Sequence, residues 1–236
     1  MNTKLFSLSF KLSALTVIIF SVILPFISIY AADDDDDDDG EDFEENNSIT
    51  ICCTWGDNLD DGILTYTIGG SVDAAKKKAV HDAIRDWDDK IDLVELHEIS
   101  SVQEDTKRPD IQIRFINDGE EFKEEGPETA GNTKTKLDEF GFIKYNLITI
   151  AEGGLGRSFD IKTIETIAKH EIGHALGLGH ANFKSNLMTT KIESAAETIS
   201  SCELEAVRQA NSWKLVDIKE DNTPELPVTT TVICKS

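Results

Sequence analysis

The sequence predicts an α+β domain in which a mixed, twisted sheet carries helices packed on it. Three observations point there. A strand-like run, GILTYTIGG at residues 62–70, feeds a helix-period stretch. An alternating run, PDIQIRFI at residues 109–116, follows it. Two further strand-like runs are then separated only by a short turn from Asp138 to Gly141. A helix between early strands permits parallel pairing, whereas a tight turn forces antiparallel pairing, so the sheet is mixed. With 236 residues, 39% hydrophobic and 29% charged, the chain has room for one sizeable core, expected over residues 48–236.

The segments before that core are of another kind. Lys4 and Lys11 precede an uncharged run from Leu12 to Ala32, the pattern of an export signal, with Ile29 and Ala31 placed for cleavage after Ala31. Retained as an anchor, the run is long enough to span a bilayer, although Pro25 interrupts it as a helix. Residues 1–31 are therefore expected to be a signal peptide or signal anchor. The rest would be secreted or displayed on the cell surface, meeting a membrane only through an uncleaved N-terminal segment. Residues 32–47, ADDDDDDDGEDFEENN, repel themselves and hold almost nothing apolar, which predicts a solvated, disordered spacer. Acidic residues outnumber basic ones 45 to 23, for a net charge of −22. That excess argues against nucleic acid as a partner.

Cys52, Cys53, Cys202 and Cys234 form an even set suited to disulfides in an oxidising compartment, and no CxxC spacing favours a metal site. Neighbouring strand residues face opposite ways, so Cys52 and Cys53 are expected to reach two different partners and not each other. Which of them takes Cys202 and which Cys234 stays open.

Within the core, residues 62–70 combine β-branched and aromatic residues between glycines, as a strand does. Ser71 is placed to cap the helix that follows. Val72, Ala75, Ala79, Ala83, Ile84, Trp87 and Ile91 recur at steps of three and four, giving a face that packs on the sheet. His81 lies opposite that stripe and is expected in solvent. LVELHEIS, residues 93–100, reads as a second strand with His97 a lone strand histidine. In residues 109–116, Ile111, Ile113 and Phe115 alternate with Gln112 and Arg114, and an acidic loop from Asn117 to Pro127 ends the run. The next strand, polar and lysine-bearing, suits a sheet edge, and NLITIA a buried position.

Residues 160–178, DIKTIETIAKHEIGHALGL, have a stripe of Ile161, Ile164, Ala168, Ile172 and Ala175. His170 and His174 stand one helical turn apart, roughly 140° from that stripe at about 100° per residue. Two imidazoles at this spacing can chelate one zinc ion. Glu171 is offset around the axis, which suits its carboxylate to a water at the metal. Gly177 can adopt a left-handed conformation, end the helix and turn the chain back. His180 then supplies a third nitrogen and leaves the fourth position open, as in a catalytic site.

HEIGHALGLGH matches the metzincin signature H-E-x-x-H-x-x-G-x-x-H at every fixed position. The chain resembles the metzincin zinc metalloproteases, and Met188, in the Leu-Met pair of ANFKSNLMT, resembles the methionine turn of the matrixin branch. The resemblance spans about residues 54–214, with its specific part at residues 170–188. It implies a mixed five-stranded sheet with three helices and zinc in the active-site cleft. It also implies a zinc-dependent endopeptidase acting on protein or peptide, with His170, His174 and His180 on the metal and Glu171 as general base. Gly177 and Met188 would be structural at the site. Substrate would lie extended beside the edge strand near Thr129 to Thr135.

Departures from the family pattern bear on specificity. Ala181 replaces the usual serine, and Thr189-Thr190 replaces tyrosine-proline of the specificity pocket, so subsite preference does not carry over. Outside the motif only His81 and His97 remain for a structural zinc, and Cys52 and Cys53 lack the flanks of a cysteine switch. Calcium has one candidate, GDNLDDG at residues 56–62. Leu59 stands where the EF-hand template needs a ligand, so calcium is unsupported by a motif and the stretch reads as an acidic turn. Ser200 and Glu203 form a capping-box pattern ahead of a C-terminal helix. The tail PVTTTVICKS has strand composition and a cysteine to staple it. A catalytically silent zinc-binding surface protein on the same fold is the alternative function, and Glu171 argues against it.

Overall fold

The computed structural model describes residues 46–70, 72–99, 108–117, 129–154, 157–191, 196–215, 226 and 230–234. The signal or anchor segment, nearly all of the acidic spacer, Ser71 and the loop 118–127 lie outside them. In chain order the elements are β1 (Ser48–Ile51), β2 (Ile63–Gly69), α1 (Ala74–Asp88), β3 (Glu95–Glu98), β4 (Ile111–Ile116), β5 (Gly131–Leu137) and β6 (Ile143–Ala151). A short pair, β7 (Gly153–Gly154) and β8 (Arg157–Ser158), precedes α2 (Ile161–Ala175), β9 (Leu178–Ala181), α3 (Ser201–Ala210) and β10 (Thr231–Ile233).

The main sheet has five strands in the order β3-β2-β4-β6-β5, parallel except for β5, which runs antiparallel to β6. This is the mixed α+β architecture the patterning predicts, with the lysine-bearing strand at the edge. Residues that alternate in sequence alternate in burial: Ile111 and Ile113 are buried beside half-buried Gln112 and Arg114. Among the described residues no helix is long and apolar enough to cross a membrane.

Helix α1 buries Ala79, Val80, Ala83, Ile84 and Trp87. Trp87 Nε1–H donates to Lys169 O at 2.9 Å and so ties α1 to α2. The N-cap of α1 is Asp73, whose carboxylate accepts from Ala75 N, and not Ser71. An aspartate two residues nearer the helix than the serine satisfies one of its first free N–H groups. His81 is half-buried and not in open solvent. Its Nδ1 lies 3.5 Å from the Tyr66 hydroxyl and its Nε2 3.9 Å from Glu98, because β2 and β3 reach under that side of α1. His97 is a lone strand histidine, exposed on β3 beside Glu95.

Helix α2 is capped by Asp160 and ends at Ala175, three residues short of the expected end. Gly177 takes φ +105°, and a Cβ there would run into the Cys53 carbonyl, so the chain must leave the helix here. The carbonyls left over at the helix end find partners: Trp55 Nε1 and Asn146 Nδ2 donate to Ala175 O at 2.9 and 3.1 Å, and Asn211 Nδ2 donates to Leu176 O at 3.1 Å. The stripe on α2 is buried except at Ile161, which is exposed in the first turn.

A second sheet, β10-β1-β9, is antiparallel throughout and places β1 between the C-terminal tail and the strand after α2. Asn47 O accepts from Cys234 N at 2.8 Å, at the very end of the acidic run. Cys202 pairs with Cys234, which staples β10 to α3 as the tail composition suggests. Cys52 pairs with Cys53, against expectation. The alternation argument fails because β1 stops at Ile51, so the two cysteines lie past the strand, where side chains need not point apart. GDNLDDG is a turn: its 3-10 segment Asp57–Leu59 buries Leu59 completely.

Candidate metal centre

Helix α2 places His170 and His174 on one face, where their Nε2 atoms lie 3.0 Å apart. Strand β9 brings His180 to them, with ring centroids 5.5 Å from His170 and 4.8 Å from His174. One ring nitrogen from each of the three falls within 4.8 Å of the other two. The glycine turn therefore delivers the third histidine on a strand, where register fixes it: Ile49 faces Ala181 and Ile51 faces Leu178. Thr50 Oγ1 donates to His180 O at 3.1 Å.

The hydrogen bonds select the tautomers of the helix pair. His170 Nδ1 is 2.7 Å from Leu187 O and His174 Nδ1 is 2.8 Å from Leu178 O. A carbonyl only accepts, so both protons sit on Nδ1 and both Nε2 atoms carry lone pairs. Two lone pairs facing each other at 3.0 Å repel unless a cation lies between them. Burial pushes His170 down to about 4, and burial together with the neighbouring His170 pushes His174 down to about 3. Desolvation lowers His180 as well. All three are neutral near pH 7, the state in which imidazole ligates a metal. A tetrahedral zinc with Zn–N of about 2.05 Å needs ligand nitrogens about 3.3 Å apart, close to the spacing of the helix pair. The donor set fits zinc.

Glu171 is 4% exposed and turns toward β5. Thr133 Oγ1 is 2.6 Å from its Oε2. Met188 is fully buried under the site, in a turn where its N–H donates to Asn186 Oδ1 at 2.8 Å and its carbonyl accepts from Ala181 N at 2.8 Å. Of the predicted site residues, His170, His174 and His180 cluster, Glu171 follows His170 on the helix and faces β5, Gly177 turns the chain ahead of His180, and Met188 packs against Gly173 of α2.

Several supporting residues escape the sequence reading. A Cβ on Gly173 would meet Met188 Sδ at 2.5 Å, so glycine is what lets the methionine turn lie against α2. Gly179 likewise clears Thr50 of β1. Glu203 is buried and holds two elements at once. Its Oε2 closes the capping box with Ser200 N at 2.9 Å, and its Oε1 accepts from Leu187 N at 3.0 Å. Leu187 O in turn accepts from His170, so one residue links the cap of α3 to a candidate ligand. The capping-box motif revealed half of this; nothing in the sequence pointed to the other oxygen.

The matrixin family model matches residues 55–209, more than half of the chain. Archaemetzincin from Methanopyrus kandleri aligns in structure at 11% identity and a TM-score of 0.41, over 62% of this chain and 93% of that one. Myroilysin aligns at 13% identity and a TM-score of 0.35, over 56% of this chain and 54% of its own. High choriolytic enzyme 1, a hatching-enzyme zinc-protease from the medaka Oryzias latipes, aligns at 15% identity and a TM-score of 0.31, over 54% of this chain and 50% of its own. No curated protein matches the chain in sequence. The chain belongs to the matrixin family and is a zinc-dependent metalloendopeptidase.

Proposed function

From that membership we propose an exported endopeptidase in which His170, His174 and His180 hold zinc and Glu171 is the general base. The observation that carries the reading is the trio of neutral imidazoles with a buried carboxylate at the adjacent helix position. Zinc, when bound, polarises the scissile carbonyl and acidifies water at its open position. Glu171 accepts the proton of the attacking water and passes it to the leaving amine. His170 and His174 are kept in the ligating tautomer by Leu187 and Leu178. The substrate lies extended along β5, the sheet's antiparallel edge, and gains main-chain hydrogen bonds there.

Export is supported by the N-terminal pattern around Lys4 and Lys11 and by two disulfides in one small domain. The acidic run then spaces the domain from the surface that releases or holds it.

Zinc content and cleavage of an unfolded protein by the purified chain test the catalytic reading. It predicts about one zinc per chain and a cleavage rate that falls at least about a hundredfold in Glu171→Gln, with zinc retained. Zinc without cleavage in the wild type would favour the silent binding protein instead. The cell fraction and N-terminal residue of the protein recovered from an exporting host test the localisation: Ala32 in the medium marks cleavage, Met1 on the cell surface marks a retained anchor, and a chain confined to the cytoplasm contradicts export.

A further inference from the structure

The edge strand β5 lies against the proposed base more closely than a strand bearing ordinary side chains could. Side chains alternate along a strand, so residues 131 and 133 share the face toward α2. A Cβ on Gly131 would lie 2.6 Å from Glu171 Oε1 and 2.9 Å from its Cγ. The bare Cα is thus the condition for the approach. Two residues on, the Thr133 hydroxyl stands 2.6 Å from Glu171 Oε2 and 3.0 Å from the Glu171 main-chain oxygen.

A threonine hydroxyl has one proton, and both of these neighbours accept. The charged oxygen at the shorter distance takes the stronger bond. This bond is not needed to place the strand, whose register is set by pairing with β6 from Gly131 opposite Ile150 to Leu137 opposite Ile143. It acts on the carboxylate, which is nearly closed to solvent, and bears directly on its Oε2 edge.

We propose that Thr133 is a positioning residue for peptide hydrolysis: its hydroxyl fixes Oε2 of Glu171 and so sets the plane in which the carboxylate meets the attacking water. The proposal rests on Glu171 being the general base. Because the hydroxyl acts on the base and not on substrate, its loss falls on kcat and leaves KM and zinc content alone.

Steady-state cleavage of a peptide by the zinc-loaded full chain tests this with Thr133→Val, Thr133→Ser and Glu171→Gln. Thr133→Val is expected to lower kcat about ten- to a hundredfold, the effect of losing a hydrogen bond to a charged group, with KM within about threefold. Thr133→Ser restores most of kcat because it keeps the donor. Should valine prevent folding, Thr133→Ala serves as the non-donating variant. The proposal is overturned if the non-donating variant keeps kcat within twofold, if KM rises with kcat unchanged, or if serine is as poor as valine. An active Glu171→Gln sinks the general-base reading and this proposal with it. An inactive Glu171→Gln beside an unimpaired Thr133→Val discards the role of Thr133 alone.

Discussion

The three candidate ligands reach one point by two different routes. His170 and His174 stand on a helix, half-buried, with each ring held at Nδ1 by a backbone carbonyl. His180 is exposed, and what holds it is its main chain: pairing with β1, the Thr50 hydroxyl on its carbonyl, and the Gly177 turn on which Cys52 N rests at 2.9 Å. Helix geometry and two ring hydrogen bonds preorganise the first pair, so their rotamers cost little to fix when metal binds. The third ligand depends on a small sheet whose outer strand, β10, is tied in by the Cys202–Cys234 bridge. In the proposed zinc site the helix side supplies the metal's grip, and the strand side completes it.

Ligand deletions give the largest contrast. His174→Ala is expected to lower zinc affinity by more than the roughly 10–100-fold that loss of an outer partner costs, and His180→Ala by less than His174→Ala. Zinc titration against a competing chelator measures both, and an equal loss at the two positions would remove the distinction between the routes.

Next in size is Gly177→Ala, which forces a left-handed residue with a side chain onto the Cys53 carbonyl. A loss on the order of 4 kcal/mol is expected from strain and clash together. Denaturant unfolding gives that number, and zinc titration should show the third ligand displaced.

The two disulfides separate more gently. Opening Cys202–Cys234, with a sequence separation of 32, is expected to cost about 3.7 kcal/mol through chain entropy. Opening Cys52–Cys53, one residue apart, closes almost no loop and should shift the unfolding midpoint far less. Unfolding of Cys202→Ser/Cys234→Ser beside Cys52→Ser/Cys53→Ser decides, and the reverse ranking would show that the adjacent pair holds the Gly177 turn more than chain entropy allows.

Smallest is Thr50→Val, which removes one hydrogen bond from the His180 carbonyl at a cost of about 1 kcal/mol. A zinc affinity unchanged within error would mean that pairing with β1 alone positions β9.

Most of the sheet was legible because its patterning is local. Alternation in residues 109–116 and the lysines of residues 131–137 report burial and edge position directly. The motif likewise names the candidate ligands: spacing along a helix places His170 beside His174, and the Gly177 turn brings His180. What stayed hidden depends on partners distant in sequence. Gly173 makes sense only beside Met188, and Gly179 only beside Thr50. Thr133 gains a role only from a carboxylate 38 residues away. The cysteines misled for a related reason: face alternation holds inside a strand, and β1 stops one residue before Cys52. His81 misled because opposition to an apolar stripe says nothing about what the sheet reaches around from beneath, here Tyr66.

X-ray absorption at the zinc edge of the purified, zinc-loaded chain tests the central claim most directly. The account predicts three imidazole nitrogens and one oxygen at about 2.0–2.1 Å, with one imidazole fewer in His180→Ala. A sulfur neighbour at about 2.3 Å, or a shell filled by protein ligands with no oxygen, would contradict an open catalytic site built from His170, His174 and His180.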